Sequence, residues 1–152
     1  MSDYHLAQIN IAQAIEPLDT PRLAGFVSRL DEINGLAEQS AGFIWRLVSD
    51  AGNATALRVF DHPDMLINMS VWQDLASLRA FVYRSNHIEL LRAKAEWFEP
   101  LQTASQALWW LPAGQVPDID QGKEKLAKLD KHGPSADAFT FAKLFDPPNS
   151  GV

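Results

Sequence analysis

The sequence predicts a single α+β domain in which two strand–helix units share one antiparallel sheet. Three observations predict it. Apolar residues alternate in four short segments and recur at helical spacing in three longer ones, giving the order β-α-β-β-α-β plus an added helix. The first two helical segments echo one another at a fixed offset. The 152 residues are 47 % hydrophobic and 21 % charged, a size and composition that bury roughly 70 % of the unfolded surface around one core.

Residues 5–13, HLAQINIAQ, alternate around Ile9 and Ile11 and read as the first strand. Pro17, Asp19 and Pro21 then mark a loop, with Asp19 or Thr20 as helix N-cap and Pro21 near the first helical position. Leu23, Phe26, Val27, Leu30, Ile33, Leu36 and Ala37 carry a helix that ends near Gln39, before Gly42. Residues 43–48, FIWRLV, form a second strand, and 50–63 a loop with the turn residues Asp61, Pro63 and Asp64 at its end. Residues 65–72, MLINMSVW, form a third strand. Asp74 or Ser77 caps a second helix carrying Leu78, Phe81, Val82 and Tyr83. That helix breaks near Ser85-Asn86, resumes through Ile88, Leu91 and Trp97, and stops by Glu99-Pro100. Residues 105–111, SQALWWL, give a fourth strand, and a third helix follows Asp118 with Leu126 and Leu129 inward, closing at Gly133-Pro134. AFTF at 138–141 reads as an edge strand or packed arm. The domain is expected to span 1–145, with 146–152 a frayed tail.

Shifted by 55 residues, Leu23 falls on Leu78, Phe26 on Phe81, Val27 on Val82, Arg29 on Arg84, Ile33 on Ile88 and Leu36 on Leu91. Ile9-Asn10 is echoed by Ile67-Asn68 in the strands. Two halves that each pack a helix on the same sheet produce such a pattern, the split βαβ or ferredoxin-like arrangement.

Composition narrows the function classes. A formal charge of −6 argues against a nucleic-acid groove, and Lys123, Lys125, Lys128 and Lys131 are interleaved with acids as on a solvated helix face. With no cysteine, disulfides, thiolate metal sites and a Cys nucleophile are excluded. No pair of the four His residues has metal-ligand spacing, and no glycine-rich phosphate loop or serine elbow occurs. No metal and no cofactor are expected. No apolar run approaches the ~20 residues that span a bilayer, so no membrane contact is expected and the cytoplasm is the default address.

Strand parity locates a candidate site. Ile9 and Ile11 share a face with Ile67, Met69 and Val71 across the sheet, which should lie under the helices. The opposite set, Gln8, Asn10, Asn68, Ser70 and Trp72, is polar with one large aromatic. Arg46 is a candidate to join it, as is one of Trp109 and Trp110. This face suits either a second copy stacked sheet against sheet or a pocket for a small molecule. His87 on the second helix is the best general base among the histidines, with Tyr83 nearby; as plain structure, it is a surface His beside Ser85 and Asn86.

The stretch Ser70 to His87, SVWQDLASLRAFVYRSNH, resembles a segment of the antibiotic-biosynthesis-monooxygenase-like, dimeric α/β-barrel superfamily. HLAQINIA, FIWRL, FVYRSNH, EWFEP, LWWLPAG and the HGP…AFTF tail together resemble one branch of it known only as a domain of unknown function. The resemblance implies a ferredoxin-like subunit that forms a homodimer through its sheet face into a shared barrel. It implies relatives ranging from cofactor-free monooxygenases of aromatic molecules through haem-degrading oxygenases to proteins without known catalysis. Asn10 and Trp72 stand at places that can be matched to site residues of the cofactor-free enzymes, with Tyr83 or His87 nearby on the helix. Phe81 and Leu91 stand where the haem-degrading pattern needs a Trp and an axial His, which disfavours haem.

Two expectations follow. One is a dimeric small-molecule-binding or stress-response module without catalysis. The alternative is a cofactor-independent monooxygenase acting on an aromatic or enolisable molecule, with His87, Asn10 and Tyr83 catalytic and Trp72, Arg46, Asn68 and Trp110 binding the substrate.

Overall fold

The computed structural model describes residues 3–15, 20–47, 65–85, 98–99 and 106–147. The first strand, β1 (Tyr4–Ala14), leads through a 3-10 turn at Pro21–Leu23 into α1 (Ala24–Gln39). Gly42, at φ 83°, turns the chain into β2 (Phe43–Arg46). β3 (Met65–Trp72) is followed by α2 (Leu75–Ser85), whose N-cap is Asp74: its carboxylate accepts the Ser77 amide at 2.8 Å. Then come β4 (Phe98–Glu99), β5 (Gln106–Pro112) and α3 (Ile119–His132). Asp118 caps α3 by accepting from the Gln121 amide at 2.7 Å, and Gly133 ends it at φ 77° with Lys131 and His132 in the last turn. Among the described residues no helix is long and apolar enough to cross a membrane.

All pairings are antiparallel. β2 pairs β3, β3 pairs β1, and the far side of β1 is shared by β5 along Tyr4–Asn10 and by β4 at Gln13–Ala14. The order β5-β1-β3-β2 is that of the ferredoxin-like βαββαβ fold, with α3 added at the C-terminal end. β4, a two-residue strand where the sequence suggests only a helix end, extends the β1 edge beyond β5. Leu23 and Leu78, the first pair of the 55-residue echo, are both buried.

The assignment of faces corrects the parity argument. The apolar set Ala7, Ile9, Ile67, Met69 and Val71 does not lie under α1 and α2; it forms a cluster with Ala107, Trp109 and Leu111 beneath Leu126 and Leu129 of α3. Gly122 lets α3 approach closely, since a Cβ there would stand 2.7 Å from Ile9 Cδ1. The mixed face instead carries α1 and α2: Leu6, Trp72 and Leu108 pack with Ala37, Leu75, Leu78, Phe81 and Val82. It is therefore not the unattended side on which a second copy could stack. The reason is energetic: an amide-lined face tolerates helix cover once its polar groups bond to one another, whereas the aliphatic face needs a dry lid.

The segment after α3 runs along the outer edge of β5. Phe139 and Leu108 exchange backbone hydrogen bonds at 2.8 Å in both directions, so AFTF is a packed arm joined by one bridge. Ala138 belongs to the α3-side cluster and Phe139 to the opposite one, so consecutive residues seal the two faces of the sheet.

Candidate ligand site: an amide ladder under the helices

Antiparallel register brings residues of equal parity side by side. Gln8 stands opposite Ser70, Asn10 opposite Asn68, and Leu6 opposite Trp72. The polar side chains complete one network. Trp72 Nε1 donates to Ser70 Oγ at 2.8 Å. Gln8 Nε2 donates to the same oxygen and to Asn68 Oδ1, both at 2.7 Å. Asn10 Nδ2 donates to Gln8 Oε1 at 2.6 Å. Gln8 and Ser70 are buried at 3 % and 4 % exposure, Asn10 is half-buried and Asn68 exposed. The ladder thus runs from a sealed tryptophan to an end reachable from solvent.

Aromatic packing closes the sealed end. Trp72 stacks on Phe81 of α2, with centroids 5.0 Å apart and planes at 23°, and meets Phe43 edge-on at 5.5 Å. Trp110, level with Leu6 and on the same face, donates its N–H to the Phe145 carbonyl at 2.8 Å and lies against Phe139. Trp109 takes the opposite face. Trp110 is the member of the pair on the candidate site's side, beneath the C-terminal arm rather than beside the asparagines.

A β-bulge delivers Arg46. Phe43 pairs Trp72, Trp45 pairs Val71 and Arg46 pairs Ser70, the register shifting between Phe43 and Trp45. A regular strand would place Phe43 and Arg46 on opposite faces; the extra residue, Ile44, puts both on the ladder side. The Arg46 side chain is 14 % exposed, and its Nε lies 3.2 Å from the Glu38 carboxylate of α1. A cation beside neutral amides and one peripheral carboxylate favours an oxygen-rich, electron-dense ligand.

Five of the proposed residues, Asn10, Arg46, Asn68, Trp72 and Trp110, therefore share one face. Tyr83 falls within α2, with its side chain outside the described residues, and His87 lies outside them altogether. Sequence reasoning placed Gln8 and Ser70 on this face without counting them as site residues, though Gln8 is the hub; its parity with Asn10 was the available signal. Glu38 was missed, and no sequence signal links it to Arg46 across a turn. Among the described residues no group of three or more His, Asp or Glu could hold a metal ion.

Fold and site together define a ferredoxin-like α+β domain with a polar ladder on the helix-bearing face of its sheet, buried at Trp72 and open to solvent at Asn68. The chain belongs to the family described as a domain of unknown function (DUF3291), whose model matches residues 5–151. No curated protein is significantly similar to it. Among solved structures, a variant of SnoaB, a cofactor-independent oxygenase from Streptomyces nogalater, is 15 % identical with a TM-score of 0.48, over 77 % of this chain and 100 % of that one. A protein of unknown function from Nitrosomonas europaea is 16 % identical with a TM-score of 0.46, over 76 % and 97 % of the two chains. PA3566 from Pseudomonas aeruginosa is 15 % identical with a TM-score of 0.43, over 77 % and 98 %.

Proposed function

We propose that the ladder binds an aromatic or enolisable small molecule and that the protein acts on it as a cofactor-independent monooxygenase. The observation that carries this reading is the Trp72–Ser70–Gln8 network opening onto Asn10 and Asn68, amides able to polarise a carbonyl or hold an enolate oxygen. Arg46, on the same face, adds positive charge for that oxygen. In this reading His87, with Tyr83, removes the substrate proton. The resulting carbanion reduces O2, and recombination gives a hydroperoxide that loses water: a CH2 group and O2 become a carbonyl and H2O, with all electrons supplied by the substrate.

Titration with anthrone, whose CH2 lies opposite a ketone, tests this. Saturable thermal stabilisation with oxygen uptake is expected; Asn68→Ala should weaken binding about tenfold, and His87→Ala should abolish uptake while leaving binding intact. Stabilisation without uptake in the unaltered protein would leave a binding module alone, the reading that a ladder of mutually satisfied neutral amides would then favour.

A homodimer through the sheet fits the face under α3, where Ile11, Trp45 and Leu47 stay only partly buried. Sedimentation of a single monomeric species at micromolar concentration would exclude it.

A further inference from the structure

The ladder is anchored by one group that cannot change its role. An indole N–H only donates, so Ser70 Oγ must accept from Trp72, and its own hydrogen is left to point elsewhere. Every other link joins an amide to a hydroxyl or another amide, groups that both donate and accept. Turning all three amides over together keeps the contacts of 2.6–2.7 Å in place and reverses each bond. Ser70 then donates to Gln8 Oε1, Asn68 Nδ2 donates to the same oxygen, and Gln8 Nε2 donates to Asn10 Oδ1. Four bonds exist in either polarity, counting the Trp72 bond. Each leaves one buried hydrogen without an acceptor among the described residues: the Ser70 hydroxyl in one, the second Gln8 amide hydrogen in the other. The two arrangements are closely balanced, the condition under which a ligand selects between them.

Their outward faces differ. In the first polarity Asn68 presents N–H and Asn10 presents a carbonyl oxygen; in the second the roles are exchanged. In both, one donor and one acceptor stand side by side, at the ~5 Å spacing of directly opposed strand residues. We infer that the ligand is a planar hydroxy-carbonyl compound with its O–H and C=O set 1,3 across a ring, and that the ladder switches polarity as a unit to accept it either way round. This rests on the ladder being the binding site and specifies what it reads.

Four meta-substituted benzenes separate the outcomes: 3-hydroxyacetophenone, 3-methoxyacetophenone, resorcinol and 1,3-diacetylbenzene. The hydroxy ketone should bind at least tenfold tighter than the other three. In nitrogen-15 NMR spectra it should shift the Gln8 side-chain amide together with those of Asn10 and Asn68, although Gln8 is buried. Asn10→Asp places an acceptor-only group at one end, fixing Gln8 Nε2 toward it and leaving two acceptors outward. This nearly isosteric variant should transfer the preference to resorcinol, a two-donor probe. Equal affinity for all four probes, or an unmoved Gln8 signal on binding, overturns the polarity inference and leaves the site standing. Binding that shifts none of the three amides overturns both.

Discussion

Asn10 and Asn68 face one another directly across the β1–β3 ladder, and the buried Gln8 bonds to both. The same two residues occupy equivalent places in the sequence echo, so the pseudo-repeat puts its two halves in contact at the mouth of the candidate site. Their partners deeper in the network set the first expectation.

Ser70→Ala removes the acceptor of the Trp72 N–H and one partner of Gln8, both in a buried setting. A stranded buried donor costs about 1–3 kcal/mol. Urea denaturation should show a loss of that order, with Ser70→Thr retaining more stability than the alanine variant; equal loss in both would place the cost in packing rather than in the hydroxyl.

Three buried or half-buried tryptophans differ in what their N–H meets. That of Trp72 reaches Ser70, that of Trp110 reaches the Phe145 carbonyl, and Trp109 Nε1 is buried with no partner among the described residues. Replacing each in turn with benzothienylalanine swaps N–H for sulfur at nearly constant shape. Stability should fall by about 1–3 kcal/mol at position 72 and be unchanged or rise at 109, as measured by thermal unfolding. A loss at 109 equal to that at 72 would contradict the bonding seen here.

Two helix-interior glycines should respond with opposite sign to alanine. At Gly35 nothing lies within 4 Å of an added Cβ, and gaining a better helix former should stabilise by about 1 kcal/mol. At Gly122 the same methyl meets Ile9 Cδ1 at 2.7 Å and Met69 Cε at 3.2 Å, so overpacking of about 1–3 kcal/mol should cancel or reverse the gain. Parallel chemical denaturation of the two variants checks the sign.

Gly42 is constrained twice, by φ 83° and by Ser77, whose hydroxyl a Cβ would strike. Gly42→Ala should destabilise, and Ser77→Gly in the same chain should recover only the steric part, leaving about 1–2 kcal/mol for the left-handed backbone. A double-mutant cycle measures the split; full recovery would show that the backbone term is negligible.

The fold was legible because it depends on periodicity: the β-α-β-β-α-β order, the Asp118 cap and the inward Leu126 and Leu129 all follow from local spacing. The two faces of the sheet were separable for β1 and β3, which are regular, so Asn10, Asn68 and Trp72 fell together as expected. Which helices cover which face was not legible, because parity sorts side chains without naming their cover. Arg46 escaped the parity rule altogether: the bulge at Ile44 leaves no period-2 signature, and only the observed register fixes its side. Phe98–Glu99 likewise gains strand character from pairing with β1, a long-range contact no local pattern encodes.

The adjacent positions of Ala138 and Phe139, pointing to opposite sides of β5, bear on the order of assembly. During synthesis the four main strands and all three helices emerge before this stretch, so the outer edge of β5 waits unpaired until the arm arrives. The final step of folding is then a clasp fastened at one edge, and the nascent chain is most prone to mispairing in the interval just before it closes.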